Sequence, residues 1–211
     1  SAPILMLGTL PPEAVREAIR HELAATVYDL EQAQTLDFAA RDEGGRLRVH
    51  IMVDTGIGRL GVQASEAVAF FRQLIRLSNL ELEGICTHFA RADDDADYTA
   101  AQLRLFKDVL TPLRAGGFTF RYVHAANSAG TLTSAAHHFN AVRVGLALYG
   151  LSPSETVRVP EDFRPVMSWK TQIAQVKTLP AGHPVGYGNT YTTTRPERIA
   201  DQGRLAPIPL R

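Results

Sequence analysis

The chain has 211 residues, 45% of them apolar, with 22 Lys and Arg against 22 Asp and Glu. That balance leaves no electrostatic footprint for nucleic acid or an anionic membrane surface, and no apolar run approaches the ~20 residues of a membrane span. A single cysteine, Cys86, excludes an internal disulfide. With no signal-peptide pattern at the start, the expectation is a cytoplasmic protein of one domain, or one and part of another.

Along the first 150 residues two textures alternate. Short runs rich in Val, Ile and Leu, expected as strands, occur at "PILMLG", "AATVYD", "RVHIMVD", "LEGICTHFA", "RYVHAAN" and "VRVGLALYG". Between them lie "PPEAVREAIRHE", "LEQAQTLDFAARDE", "SEAVAFFRQLIRLS" and "DYTAAQLRLFKDVLTPLRAG", with apolar residues at helical spacing. In the third of these, Val68, Phe71, Leu74 and Ile75 form the predicted apolar stripe and Ser65 is placed to cap. Gly116-Gly117 is placed to end the fourth. Nearly continuous apolar strands alternating with helices predict an α/β fold with a parallel sheet, either doubly wound or a (β/α)₈ barrel. After "GLSPS" the rhythm changes. Residues 167–179 alternate with no helix following, and "PAGHPVGYG" supplies turn chemistry. The expected organisation is an α/β unit over 1–150, a linker over 151–166, and the start of a β-rich region over 167–211.

Both α/β architectures bind ligands at the carboxyl ends of their strands, so the residues just past each apolar run carry the functional signal. After "VHIMV" comes "DTGIGRLG", with Asp54, Gly56, Gly58 and Arg59. After "LEGIC" come Thr87 and His88, after "YVHAA" come Asn127 and Ser128, and the last run carries Arg143 and Gly145. Each has an ordinary explanation. "DTGIG" suits an Asx turn, Asn127-Ser128 suits a helix N-cap, and His88 suits a structural histidine. Arg143 resists one, because a charge inside an apolar run is rarely buried without a partner. Together they favour a site for an anion and a planar polar ring.

Five stretches, "VHIMVDTGIGRLGV", "LEGICTHFARADD", "YVHAANSAGTL", "NAVRVGLALYGLSPS" and "VKTLPAGHPVGYGNTY", resemble in order and spacing the signatures of the alanine racemase family. The resemblance runs from about residue 3 to about 199. It implies a fold-type III pyridoxal phosphate (PLP) enzyme, with a (β/α)₈ barrel followed by a β domain. Here that means a partial, PLP-binding barrel of about six βα units over 1–150 and the beginning of the β domain over 167–211. It implies that His88 packs against the cofactor ring, and that Asn127 and Ser128 belong to the cofactor site. Gly145 and Leu146 are implied to offer backbone N–H groups to the phosphate, and Arg143 to pair with the pyridine nitrogen. Arg59 is implied near the substrate carboxylate, and Tyr187 as the catalytic tyrosine acting in the partner's site of a homodimer. The substrate implied is alanine, converted between its L and D forms for peptidoglycan, with no metal.

Two departures accompany the resemblance. Met52 stands where many family members carry a carbamylated lysine that orients the arginine. The only lysines are Lys107, Lys170 and Lys177, none at a position that matches the cofactor-bearing one. The chain is therefore expected to be an internal piece of a racemase, inactive alone. The alternatives are a serine or broad-specificity racemase of the same family and a non-catalytic PLP-binding barrel protein.

Overall fold

The computed structural model describes residues 2–209, without the side chains of Trp169, Thr171 and 201–209. Ser1, Leu210 and Arg211, which the expected domain ranges include, lie outside the described residues. The chain divides into two compact units, Ser1–Glu161 and Asp162–Arg211. No helix among the described residues is long and apolar enough to cross a membrane.

The first unit runs β1 (Ile4–Met6), α1 (Val15–Arg20), β2 (Leu23–Val27), α2 (Leu30–Asp42), β3 (Leu47–Asp54), β4 (Val62–Gln63), α3 (Ala67–Leu74), β5 (Leu80–Cys86), α4 (Ala96–Ala115), β6 (Tyr122–His124) and α5 (Ser128–Thr133). Five strands pair in parallel in the order β1-β2-β3-β5-β6, and the short β4 adds to the end of β3. Each main strand lies beside the next in sequence, with no reversal of order. A doubly wound sheet requires that reversal, so the wall is that of a partial (β/α) barrel. The sixth expected strand is a correction in detail. "VRVGLALYG" forms no strand: one parallel bridge, His124 to Ala141, lies just before it, and the run itself enters a 3₁₀ turn at Leu146–Tyr149.

Local chemistry sets most helix ends. Asp29 and Asp95 cap α2 and α4, accepting from Gln32 N at 2.7 Å and Tyr98 N at 2.9 Å. Gly116 closes α4, and Gly117 follows at φ +83°. The expected cap at Ser65 does not form: Glu66 precedes α3 and no side chain caps it. The expected stripe also shifts. Ala67, Phe70, Phe71 and Leu74 are buried, whereas Ile75 lies past the last turn and is exposed. Phe71 anchors this layer against Phe118, edge to face at 4.5 Å between ring centroids. Behind it, Leu36, Val49, Ile51, Ile85, Phe106 and Leu110 join the helices to the sheet as one core.

In the second unit β7 (Met167–Leu179) pairs antiparallel with β10 (Glu197–Pro209), and β8 (Pro184–Val185) with β9 (Tyr191–Thr192). A 3₁₀ turn, Tyr187–Asn189, joins the short pair.

Candidate active site

Asp54, at the end of β3, is buried and turns its Oδ1 back on the chain. That oxygen accepts from the N–H groups of Gly56, Ile57 and Gly58 at 2.9, 3.0 and 3.2 Å. The Asx turn expected from "DTGIG" is therefore real, and it carries the loop that presents Arg59. Arg59 is exposed, and among the described residues it forms no ion pair. Met52 is buried in the sheet, its sulfur 3.7 Å from Cys86 Sγ, and supplies no charge to Arg59.

Past β5, Thr87 is fully buried and His88 half-buried. Thr87 Oγ1 lies 2.7 Å from Thr55 Oγ1, linking the ends of two strands. After β6, Asn127 caps α5 as the sequence implied. Its Oδ1 accepts from Gly130 N at 2.9 Å, and its Nδ2 donates to Phe89 O at 3.3 Å. Ser128 Oγ accepts from the N–H groups of Gly145 and Ala147, at 3.0 and 3.3 Å. Those bonds seat the turn of Gly145 and Leu146 beside the start of α5.

Arg143 gathers the strand ends. Its Nη2 donates to Thr87 O at 2.7 Å, to Ala125 O at 3.2 Å and to His88 Nδ1 at 3.2 Å. Its Nη1 donates to His124 Nδ1. Its Nε is buried and has no partner among the described residues. Burial and the charges of Arg143 and Arg59 push His88 down to about 4, so near neutral pH its ring is uncharged.

The structure thus brings His88, Asn127, Ser128, Arg143, Gly145 and Leu146 to one end of the sheet, with the Arg59 loop at that end. Tyr187 belongs to the other unit. It is fully exposed and sits in a 3₁₀ turn, between Gly186 and Gly188, both at φ +74°. Thr193 holds that hairpin: its Oγ1 donates to Pro180 O at 2.6 Å and accepts from His183 N at 2.9 Å.

Two supporting residues on α4 escaped the motif reading. Gln102 is buried; its Oε1 accepts from Ala90 N, and its Nε2 donates to His88 O and Thr55 Oγ1. One turn earlier, Tyr98 OH donates to Gly56 O at 2.7 Å. The only sequence signal was their spacing of four on one helix face, which ordinary packing also produces.

A wall of sequentially neighbouring parallel strands, with guanidinium, imidazole, amide and hydroxyl groups at its carboxyl end, places the chain in the class of (β/α)-barrel ligand-binding proteins. The family model for the alanine racemase N-terminal domain matches residues 1–153, and that for the C-terminal domain matches 166–201. The chain belongs to the alanine racemase family. It is 42% identical over 201 residues to an alanine racemase of Symbiobacterium thermophilum, covering 95% of this chain and 53% of that protein. Against an alanine racemase of Desulfovibrio desulfuricans the identity is 40% over 209 residues, covering 99% and 55%. The solved alanine racemase of Clostridium difficile 630 superposes with a TM-score of 0.79 at 35% identity, over 95% of this chain and 53% of that one. That of Bacillus anthracis, solved with bound L-Ala-P, gives 0.76 at 38%, over 95% and 53%. The chain spans about half the length of the relatives it matches.

Proposed function

We propose that this chain is part of a PLP-dependent alanine racemase, and that its first unit holds the ring-nitrogen and phosphate ends of the cofactor. The observation that carries this reading is the buried Nε–H of Arg143, which has no acceptor among the described residues. A buried unpaired donor is costly unless a ligand atom accepts from it, and a bare pyridine nitrogen is such an acceptor. The neighbouring groups fit the same ring. His88 is a neutral imidazole already tied to Arg143, suited to lie against a flat heterocycle. Nothing lies within 4 Å of where a side chain on Gly145 would begin, leaving room for a phosphate beside its backbone and Ser128.

When bound, PLP supplies an electron sink for the charge left by loss of the substrate's α-proton. The chain's own groups do the rest. Arg143 stays a donor to the ring nitrogen and offers it no carboxylate, which disfavours ring protonation. Ser128, Gly145 and Leu146 hold the phosphate, and Asn127 keeps α5 and the loop of Phe89 together behind it. Arg59 binds the substrate carboxylate. Tyr187 moves a proton on one face, acting in the partner's site of a homodimer. Its phenol, with an unperturbed pKa near 10, needs a neighbouring cation to act as a base near neutrality. The chain alone does not racemise alanine, because none of its lysines, Lys107, Lys170 and Lys177, matches the position of the family's cofactor-bearing lysine, and Lys107 lies on the exposed face of α4.

PLP titrated onto the chain and followed by its phosphorus resonance is expected to bind saturably, and Arg143→Ala to abolish binding. A folded chain that takes up no PLP would refute the cofactor reading. A longer product containing this sequence that binds PLP but does not interconvert L- and D-alanine would refute the racemase reading. Racemisation by the 211-residue chain alone would overturn its proposed inactivity.

A further inference from the structure

Behind Arg143 runs a buried polar string that plays no part in the proposed function. Glu83, on β5, is 6% exposed. Its Oε1 accepts from Arg121 at 3.3 Å and lies 3.5 Å from Arg48 Nη1, and its Oε2 lies 3.3 Å from His50 Nε2. His50 Nδ1 lies 2.9 Å from His124 Nε2, and His124 Nδ1 meets Arg143. Glu83, His50, His124 and Arg143 line one cavity of about 340 Å³.

Only one arrangement of protons satisfies the string. A guanidinium donates and cannot accept, so His124 Nδ1 carries a lone pair. The proton of a neutral His124 is then on Nε2 and points at His50 Nδ1, which accepts it. The proton of His50 is in turn on Nε2 and points at Glu83, and an ionised carboxylate can only accept. Donation runs one way, from Arg143 to His124 to His50 to Glu83. Burial, the largest cause, holds His50 below its ordinary pKa even with Glu83 beside it. Burial and the nearby Arg143 and His50 push His124 down to about 3. Both rings are therefore neutral, and the 3.3 Å contact of His50 with Glu83 is a hydrogen bond rather than an ion pair. A proton added to His50 would set donor against donor at His124 Nε2, and His124 could not relieve the clash by moving its proton to Nδ1, because that nitrogen faces the Arg143 guanidinium.

The backbone is built to admit this ring. A Cβ on Gly84 would lie 2.5 Å from His50 Nδ1 and 2.6 Å from its Cε1, so a side chain there would displace the imidazole. Tyr122 stacks on the same ring, 5.7 Å between centroids.

We propose that Glu83 is a positioning residue for the pocket. Through His50 it fixes the tautomer of His124, so that Arg143 always meets a lone pair and keeps its Nε–H turned to the ligand. The role assigned to that Nε–H rests on the proposed cofactor; the string itself does not, and it is measured without cofactor.

The test is imidazole ¹⁵N–¹H correlation spectroscopy on the ligand-free chain at pH 7. In the unaltered chain both His50 and His124 are expected neutral, with Nε2 protonated and Nδ1 bare. Glu83→Leu removes the terminal acceptor, and the bare Nδ1 signal of His124 is then expected to be lost to a tautomer mixture. Glu83→Gln keeps a carbonyl acceptor in place and is expected to retain both patterns, a rescue that a merely space-filling role does not predict. His124 found protonated on Nδ1 in the unaltered chain would overturn the proposal. So would a folded Glu83→Leu chain with both rings unchanged, or Glu83→Gln scrambling them. Should Glu83→Leu fail to fold, the unaltered chain and Glu83→Gln still decide it. Loss of PLP binding is read separately, in the phosphorus titration.

Discussion

Replacing Gln102 by leucine is the sharpest test of how the site's loops are held. The exchange keeps the side chain's bulk and removes its polar atoms, at a position only 1% exposed. Three bonds go: Ala90 N to Oε1 at 2.9 Å, Nε2 to His88 O at 3.1 Å, and Nε2 to Thr55 Oγ1 at 3.3 Å. They do not cost the same. Ala90 is exposed, so its N–H turns to water, and Thr55 Oγ1 keeps Thr87 as a partner at 2.7 Å. His88 O loses its bond beside the buried Gln102 site. Stranding one buried acceptor costs about 1–3 kcal/mol, and each net hydrogen bond contributes about 0.5–1.5 kcal/mol. The expected loss is about 2–4 kcal/mol. With a urea slope of about 2 kcal/mol per molar, the midpoint falls by about 1–2 M at unchanged slope. The measurement is urea unfolding of the two chains by far-ultraviolet circular dichroism. A change below about 0.5 kcal/mol, the range of an ordinary surface substitution, would refute the view that Gln102 braces the two loops.

Gly61→Ala should lower the melting temperature, because Gly61 holds φ +143° and an added Cβ would lie 2.5 Å from Asp54 N. A loss of about 1–3 kcal/mol is expected, and an unchanged melt would show that the backbone yields there at no cost. Cys86 is fully buried, and burial pushes its thiol up to about 11 despite Arg143 nearby. A thiol reagent at pH 8 should leave the folded chain unlabelled and label the urea-unfolded chain fully; labelling of the folded chain would contradict that burial. Acid should destabilise the first unit through its neutral histidines. With folded values of about 4 for His88 and about 3 for His124, against about 6.5 unfolded, the unfolded chain binds more protons between those limits. Stability is then fully present above about pH 6.5 and lost as pH falls toward about 4 and 3. A urea midpoint that stays level or rises over that fall in pH would contradict the neutral assignment.

Much of the site was legible because its groups sit where strands end, and strand ends announce themselves by a switch from apolar to polar residues. Asp54, His88, Asn127 and Ser128 each lie within two residues of such a switch, and the structure gathers the last three with Arg143 at one end of the sheet. Caps were legible for the same local reason. Asn127 and Asp54 bind N–H groups two to four residues away, so their partners are written beside them. Where local reading failed, a competing contact decided. Ser65 lost its cap to an earlier turn, and the run around Arg143 pairs only through a bridge at Ala141 because the backbone beyond it bends into the 3₁₀ turn seated on Ser128.

The sequence by itself determined the alternation of strand and helix, the parallel sheet, and the residue types present for ligand chemistry, since each arises from periodicity or from neighbours a few positions apart. Its periodicity left open the choice between a doubly wound sheet and a barrel wall, for which the motif resemblance implied the barrel, because both share one rhythm and differ only in which strands touch. Tertiary structure decided that, and it decided what supports the site. Gln102 reaches Thr55 across 47 positions, His50 reaches His124 across 74, and Arg143 reaches Thr87 across 56. A glutamine on a helix, or a histidine and a glutamate in strands, carries no mark of such partners. A hydrogen bond depends on where folding brings two atoms, and chain separation does not encode that.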